Sequence, residues 1–585
     1  MKNIFLLLCM ILSPITLSAR KHTVTLKWLH TSDVHGALFA YDFLTRQPTS
    51  GGLSSFYAYS QRLKQKWGER LILTDGGDCL QGQPTAYYHN YIQTAKPHLV
   101  ASMMNEIGYV AGAMGNHDIE TGHDVYDRWR KQLNFPLLGA NVIDTRTGEP
   151  YLRPYMVIER EGVRIAILGM LTPGIPNWLP EVLWEGLRFE EMTSSARKWL
   201  QIIKEKEHPD LVIGLFHSGL EAGIVTDEYR ENATLQVAQE VPGFDIIFYG
   251  HDHRSSVRAV QGADGSTTYC MGPSSLATCC VEADIKLTVQ DGKVVAKHIT
   301  GRLPKMTYAD APAAHLYEMQ FAEQRDELTE WLSQPIGQLT CDLHERDAFF
   351  GSSRFIDFIH QMQLELTGAQ ISFAAPVSFD SHILKGQLTV SDMFSLYKYE
   401  NFLYTMRLTG REIKGFLEMS YGLWTDQMKS PSDHCILLDY ILDGGKRLGL
   451  KNLAYNMESA AGILYTVDVT KPVGERIHIS SMADGTPFDL DHDYLVAINS
   501  YRGNGGGELL TRGAGIPHGQ LRQRLVKSSD KDLRYYFMEL IRQKGTVSPE
   551  ALHHWRFVPE EWTQDALLRD RDIIFPANGE VERQH

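Results

Sequence analysis

Cysteine is scarce in this 585-residue chain, with seven in all, too few for a disulfide framework to hold so long a fold. Positive charge is also in short supply. Lys and Arg number 57 against 71 Asp and Glu, for a formal net charge of −14, which argues against a nonspecific binder of nucleic-acid polymers. If a phosphate is bound, the attraction must be local, and a metal ion would supply it. Long apolar runs are missing except at the N-terminus, MKNIFLLLCMILSPITLSARKH, where Lys2 precedes an apolar run from Ile4 to Leu12 and small residues from Ser13 to Ala19. That is the pattern of a secretory signal peptide, too short to span a bilayer as a helix. Cleavage is expected near Ala19, removing residues 1–19, and a retained N-terminal anchor is the alternative. Cys9 follows three leucines and not small residues, so it marks no lipoprotein box. Without a later spanning segment, the chain is expected to be secreted or periplasmic. Adjacent Cys279 and Cys280 read as buried small apolar groups.

The length allows two or three domains with full cores. In the first half, apolar runs rich in β-branched and aromatic residues end repeatedly in the same chemistry. VTLKWLHTSDVHG alternates Val24, Leu26 and Trp28, then delivers Asp33 and His35. RLILTDGGD delivers Asp78, and YVAGAMGNHD delivers Asn116 and His117. DLVIGLFHSG delivers His217, and DIIFYGHDH delivers His251 and His253. Helical segments such as SFYAYSQRLKQKWG and PHLVASMMNEIG lie between them. The alternation predicts a layered α/β arrangement with much parallel pairing, whose ligand site gathers at the carboxyl ends of the strands.

Each piece alone has a plainer reading. Asn116, His117 and Asp118 could form a turn, and a lone His after a strand is more often a hydrogen-bonded structural residue. Five strand ends that all carry oxygen and nitrogen ligands beside small residues are hard to obtain by chance. Gly36, Gly76, Gly77, Gly115, Gly219 and Gly250 let the chain turn sharply after each strand. Mixed Asp, His and Asn ligation without cysteine suits zinc, manganese or iron in an open site.

The series D-x-H, G-D, G-N-H-D, H-S-G and G-H-D-H resembles the calcineurin-like metallophosphoesterases. The chain as a whole, with its long second half, resembles the secreted nucleotidase group of that superfamily. The resemblance implies two divalent metal ions bridged by Asp78. One would also be held by Asp33, His35 and His253, the other by Asn116, His217 and His251. His117 would address the phosphate, stabilising the transition state or protonating the leaving oxygen, and Glu120 would orient it. In related nucleotidases that orienting acid is often an Asp, so Glu120 is a longer departure. Asp118 reads as structural.

Residues from about Thr307 to Leu332 are expected to form one helix, with apolar Leu316, Met319, Phe321, Leu328, Trp331 and Leu332, ending before Pro335. It is read as the connector, 306–335, between a metallophosphoesterase domain (20–305) and an α/β substrate-binding domain (336–585). Downstream, ISFAAPVSF, SLYKYEN and NSYRGNGGGE stand out. Their tyrosines could be ordinary core or surface residues, and the glycine run a flexible loop. By resemblance to the nucleotidase C-terminal domain, Tyr399 and Tyr501 fall on base-stacking positions and Asn401 on a base-contacting asparagine. Enzymes of the group that cleave 5′-monophosphates usually carry G-G-x-R where this chain has AAPVSF, and an Asp in the second glycine loop where it has Gly507 and Glu508. Those segments, with GDCLQGQP around Asp78, look closer to the bifunctional 2′,3′-cyclic-nucleotide 2′-phosphodiesterases/3′-nucleotidases. The implied substrates are 2′,3′-cyclic nucleotides and 3′-nucleotides. A 5′-nucleotidase or nucleotide-sugar hydrolase is the first alternative, and a non-catalytic nucleotide-binding protein the remote one.

Overall fold

The computed structural model describes residues 21–226, 229–309, 311–442 and 445–576. The signal-peptide stretch lies outside the described residues. Strand Lys21–Thr31 is the axis of the first sheet. It pairs in parallel with Leu71–Asp75, which continues in parallel to Ala111–Ala113 and Leu137–Leu138. On its other side Val281–Gln290 and Lys293–Arg302 complete a six-stranded sheet antiparallel. A second six-stranded sheet is built around Leu211–His217, parallel to both Ile246–Tyr249 and Val163–Leu171.

Alternation explains why the sheets meet. Val24, Leu26 and Trp28 point to one face of their strand and share one core with Ile213 and Leu215 of the second sheet. Helices cover the outer faces. Leu53–Trp67 and Leu99–Ile107 lie over the first sheet, and Met192–Glu207 and Thr234–Glu240 over the second. The five ligand-bearing strands are therefore divided, three in one sheet and two in the other. Their carboxyl ends open on the same rim.

The connector differs from expectation. Helices Pro312–Met319 and Ala322–Leu332 replace one continuous helix, and residues 307–309 and 311 are not helical. Proline starts the first helix, where its missing N–H costs nothing. The break comes where Phe321 turns inward at φ −116° and ψ 21°. Leu316 and Met319 face solvent, whereas Leu328, Trp331 and Leu332 enter a core continuous with both halves of the chain.

The second half is built on a five-stranded sheet in the order Ser459–Ala461, Ile371–Ala374, Asp493–Asn499, Phe402–Thr409, Leu525–Asp532. Helix Gly410–Trp424, capped by Thr409 and Glu412, buries Ile413, Phe416, Leu417 and Tyr421 beneath it. Cys279 and Cys280 are both buried, and all cysteines among the described residues are free.

Candidate metal centre and substrate clamp

The strand ends bring two groups of side chains together. Asp33, His35 and His253 form one, and Asp78, His217 and His251 the other, with the ligating atoms of each within 4.8 Å of one another. Asn116 joins the second group, its Oδ1 standing 2.8 Å from His251 Nδ1 and 3.1 Å from His217 Nε2. In the first group His35 Nε2 lies 3.0 Å from His253 Nε2, and His253 Nε2 lies 3.5 Å from Asp33 Oδ1. Asp78 sits between the groups, its Oδ2 3.1 Å from His217 Nε2 and 4.0 Å from His35 Nε2.

The backbone is bent to achieve this. Asp33, His35, Asp78, His251 and His253 all adopt positive φ, from 49° to 83°. Each such conformation costs a non-glycine residue about 1–3 kcal/mol and persists only where its surroundings enforce it. Neighbouring glycines provide the room. A Cβ on Gly115 would stand 2.0 Å from Asp78 Oδ1, and one on Gly250 would stand 2.5 Å from Asp33 Oδ2. Asp118 works from beneath, accepting from the backbone N–H groups of Asp78, Cys79, Leu80 and Gly115. Its role is structural.

Three observations test whether these residues fit divalent cations. Asp78 Oδ2 is buried and makes no hydrogen bond of good geometry. The Nε2 atoms of His35 and His253 converge to 3.0 Å. The far ring nitrogens are anchored: His217 Nδ1 is 2.7 Å from Gly76 O and His35 Nδ1 is 2.9 Å from Gln81 O. Carbonyls accept only, so those nitrogens carry the hydrogens and each Nε2 offers a lone pair inward. Burial, reinforced by His253, pushes His35 down to about 3, keeping it neutral. Burial opposes the charge on Asp78, but His217 and His117 hold that carboxyl well below its usual range. Burial likewise opposes a charge on His217, yet Asp78 raises it to about 10. A divalent cation can take the place of that proton. The donor set fits two such ions.

His117 projects beside this centre with its side chain 28% exposed. Its Nδ1 lies 2.5 Å from Glu120 Oε2, so the longer acid reaches, and its backbone N–H donates to Asp78 Oδ1. Burial would lower its pKa, but Asp78 and Glu120 outweigh that and lift it to about 9. The Glu120 contact uses Nδ1, which leaves Nε2 outside that pair.

Residues 26–255 match the calcineurin-like phosphoesterase family, and residues 335–512 the 5′-nucleotidase C-terminal domain. The chain is a calcineurin-like phosphoesterase with a 5′-nucleotidase C-terminal domain. It is 25% identical to the Yersinia enterocolitica 2′,3′-cyclic-nucleotide 2′-phosphodiesterase/3′-nucleotidase, over 94% of this chain and 90% of that protein. It is 26% identical to the Bacillus subtilis trifunctional nucleotide phosphoesterase protein YfkN, over 92% of this chain but 39% of that much longer protein. Among solved structures, a 5′-nucleotidase precursor from Thermus thermophilus shares the fold, with TM-score 0.63 and 21% identity, over 92% of this chain and all of that one.

In this phosphoesterase charges of the first half act on tyrosines of the second, Glu120 on Tyr399 and Glu231 on Tyr501. Tyr399 and Tyr501 are half-buried. Burial raises the Tyr399 pKa, and the Tyr501 hydroxyl and the Glu120 carboxylate raise it further. Burial also raises Tyr501, with Arg502 opposing it and Glu231 adding to it. The glycine run is not a free loop. Ser500–Gly503 and Gly506–Glu508 are helical turns, with Gly505 at φ +105° and Gly507 at φ +64° between and within them. Gly506 packs under the Tyr501 ring, where a Cβ would come within 2.5 Å of it. Arg502 is buried and pins these turns, bonding Glu458 Oε1 at 3.0 Å and Tyr455 O at 2.7 Å. Asn401 is buried, with Nδ2 donating to the Tyr397 hydroxyl at 3.1 Å. Its Oδ1 remains for another partner.

Sequence reasoning missed two residues here. Tyr455 meets Tyr501 edge-on, with ring centroids 6.2 Å apart. Glu231 lies against His251. Neither stands at a strand end or in a periodic run, so the sequence carries no local signal for them.

Proposed function

We propose that this phosphoesterase hydrolyses nucleotides, with 2′,3′-cyclic nucleotides and 3′-nucleotides as preferred substrates and nucleoside and phosphate as products. The observation that supports the reading is the convergence of Asp33, His35 and His253 and of Asp78, Asn116, His217 and His251 beside the His117–Glu120 pair. Two divalent cations held by Asp33, His35, Asp78, Asn116, His217, His251 and His253 would polarise the phosphoryl oxygens and acidify water at neutral pH. Zinc, manganese and iron all suit this donor set. His117, oriented by Glu120, would contact a phosphoryl oxygen or deliver its proton to the leaving oxygen. Tyr399 and Tyr501 would hold the base between their rings, with Asn401 Oδ1 at its edge. The functional division falls at the two connecting helices, residues 306–335, with chemistry before them and recognition after. An N-terminal signal peptide would put this activity outside the cytoplasm.

The AAPVSF segment, standing where the 5′-cleaving enzymes usually carry G-G-x-R, supports the cyclic and 3′ preference over a 5′-nucleotidase. Phosphate release from 2′,3′-cyclic AMP, 3′-AMP, 5′-AMP and a nucleotide sugar, measured side by side, tests it. Fastest turnover of 5′-AMP would give the site to the alternative.

A further inference from the structure

His251 differs from the other anchored histidines of the centre. His217 and His35 rest their far nitrogens on backbone carbonyls. His251 places Nε2 3.0 Å from a carboxylate oxygen, Oε1 of Glu231, and turns Nδ1 toward Asn116. Its ring is also stacked on Trp178, with centroids 5.6 Å apart and planes 23° apart. We propose that Glu231 is a positioning residue, which fixes the His251 ring with Nε2 protonated so that Nδ1 is presented to the metal of the Asp78–Asn116–His217 group.

Glu231 is itself held from several sides. Oε2 accepts the Ile224 N–H at 2.7 Å, and its backbone carbonyl accepts the hydroxyls of Ser218 and Thr172 at 2.8 and 2.9 Å. The segment after His217 is thereby folded back so that the Glu231 carboxylate meets His251. A carboxylate accepts only, so the shared hydrogen belongs to His251 Nε2. Its charge makes Nδ1 a stronger donor than a carbonyl partner would.

The inference rests on the two-metal reading, and zinc binding separates the two. The full-length mature protein, Glu231→Ala, Glu231→Gln, His251→Ala and the Glu231→Ala/His251→Ala double variant are loaded with zinc and titrated against a chelator. The parent holds two ions. In Glu231→Ala one ion is released about 10–100-fold more easily, the usual cost of losing such a partner, and the other is unmoved. Glu231→Gln, which keeps the volume and one acceptor oxygen, recovers part of the loss. In the His251→Ala background the Glu231 change adds nothing, because its effect runs through that ring. Parent-like retention in Glu231→Ala, equal loss of both ions, or a further loss in the double variant overturns the proposal. A parent that binds fewer than two zinc ions overturns the two-metal reading and this inference with it.

Discussion

The two halves of the molecule build their functional surfaces by different means. In the first half, side chains sit directly after buried strands, and the backbone itself is bent to aim them, five of them at positive φ. In the second half, the tyrosines proposed as a clamp sit on a short helical turn and a strand-flanking segment, and the Tyr501 turn is held by packing against Gly506 and by the buried Arg502. The first arrangement sets side-chain positions through the backbone, as metal and phosphoryl chemistry would require. The second presents aromatic faces that tolerate sliding, as base stacking does. Under the proposed function, chemistry is located by backbone geometry and recognition by surface.

Removing the shared carboxylate tests the first half most severely. Asp78→Ala should abolish turnover of every phosphoester and release bound metal, since this residue stands between both ligand groups. Metal content and activity of the folded variant decide the matter. Near-normal turnover with two ions retained would exclude Asp78 from the site.

His117→Ala is predicted to keep its metal and lose about 10²–10³ in turnover, the usual loss for one transition-state contact. Metal loss would instead make His117 a ligand. Glu120→Gln should be milder, because the acid acts through the histidine. Equal losses in the two variants would give the carboxylate a direct part in the reaction.

A smaller effect separates stability from activity in the second half. His360 is fully buried between the Ser372 and Ser459 hydroxyls, and burial lowers its pKa to about 3. The unfolded chain takes up a proton near pH 6.5 and the folded one does not. Stability is therefore complete above pH 6.5 and falls as pH drops from there toward 3, by up to about 1.4 kcal/mol per pH unit. His360→Gln should flatten the Tm difference between pH 7.5 and pH 5 and leave the relative activities on different esters unchanged. An unchanged slope would show that other groups dominate acid sensitivity.

Much of the first half was legible in the sequence because the signal is local. A buried strand, a glycine and a ligand occur within a dozen residues, as in DIIFYGHDH. The division of those strands between two sheets was not legible, since apolar runs look alike whichever sheet they join. The break at Phe321 was missed because a helix-compatible composition continues through it. Tyr455 and Glu231 were missed for a different reason. They reach the site from irregular segments through contacts far apart in sequence, and no periodicity marks such residues.

The central claim is that metal chemistry and base recognition are separable, and one ratio tests it directly. In Tyr399→Ala, Tyr501→Ala and the double variant, kcat/KM is compared for 2′,3′-cyclic AMP and for bis(p-nitrophenyl) phosphate, which has no base. Each lost ring should cost about 1–3 kcal/mol on the nucleotide. The aryl ester should be turned over nearly as by the parent. Parallel losses on both substrates would contradict the account, because the tyrosines would then be supporting the metal centre or the fold.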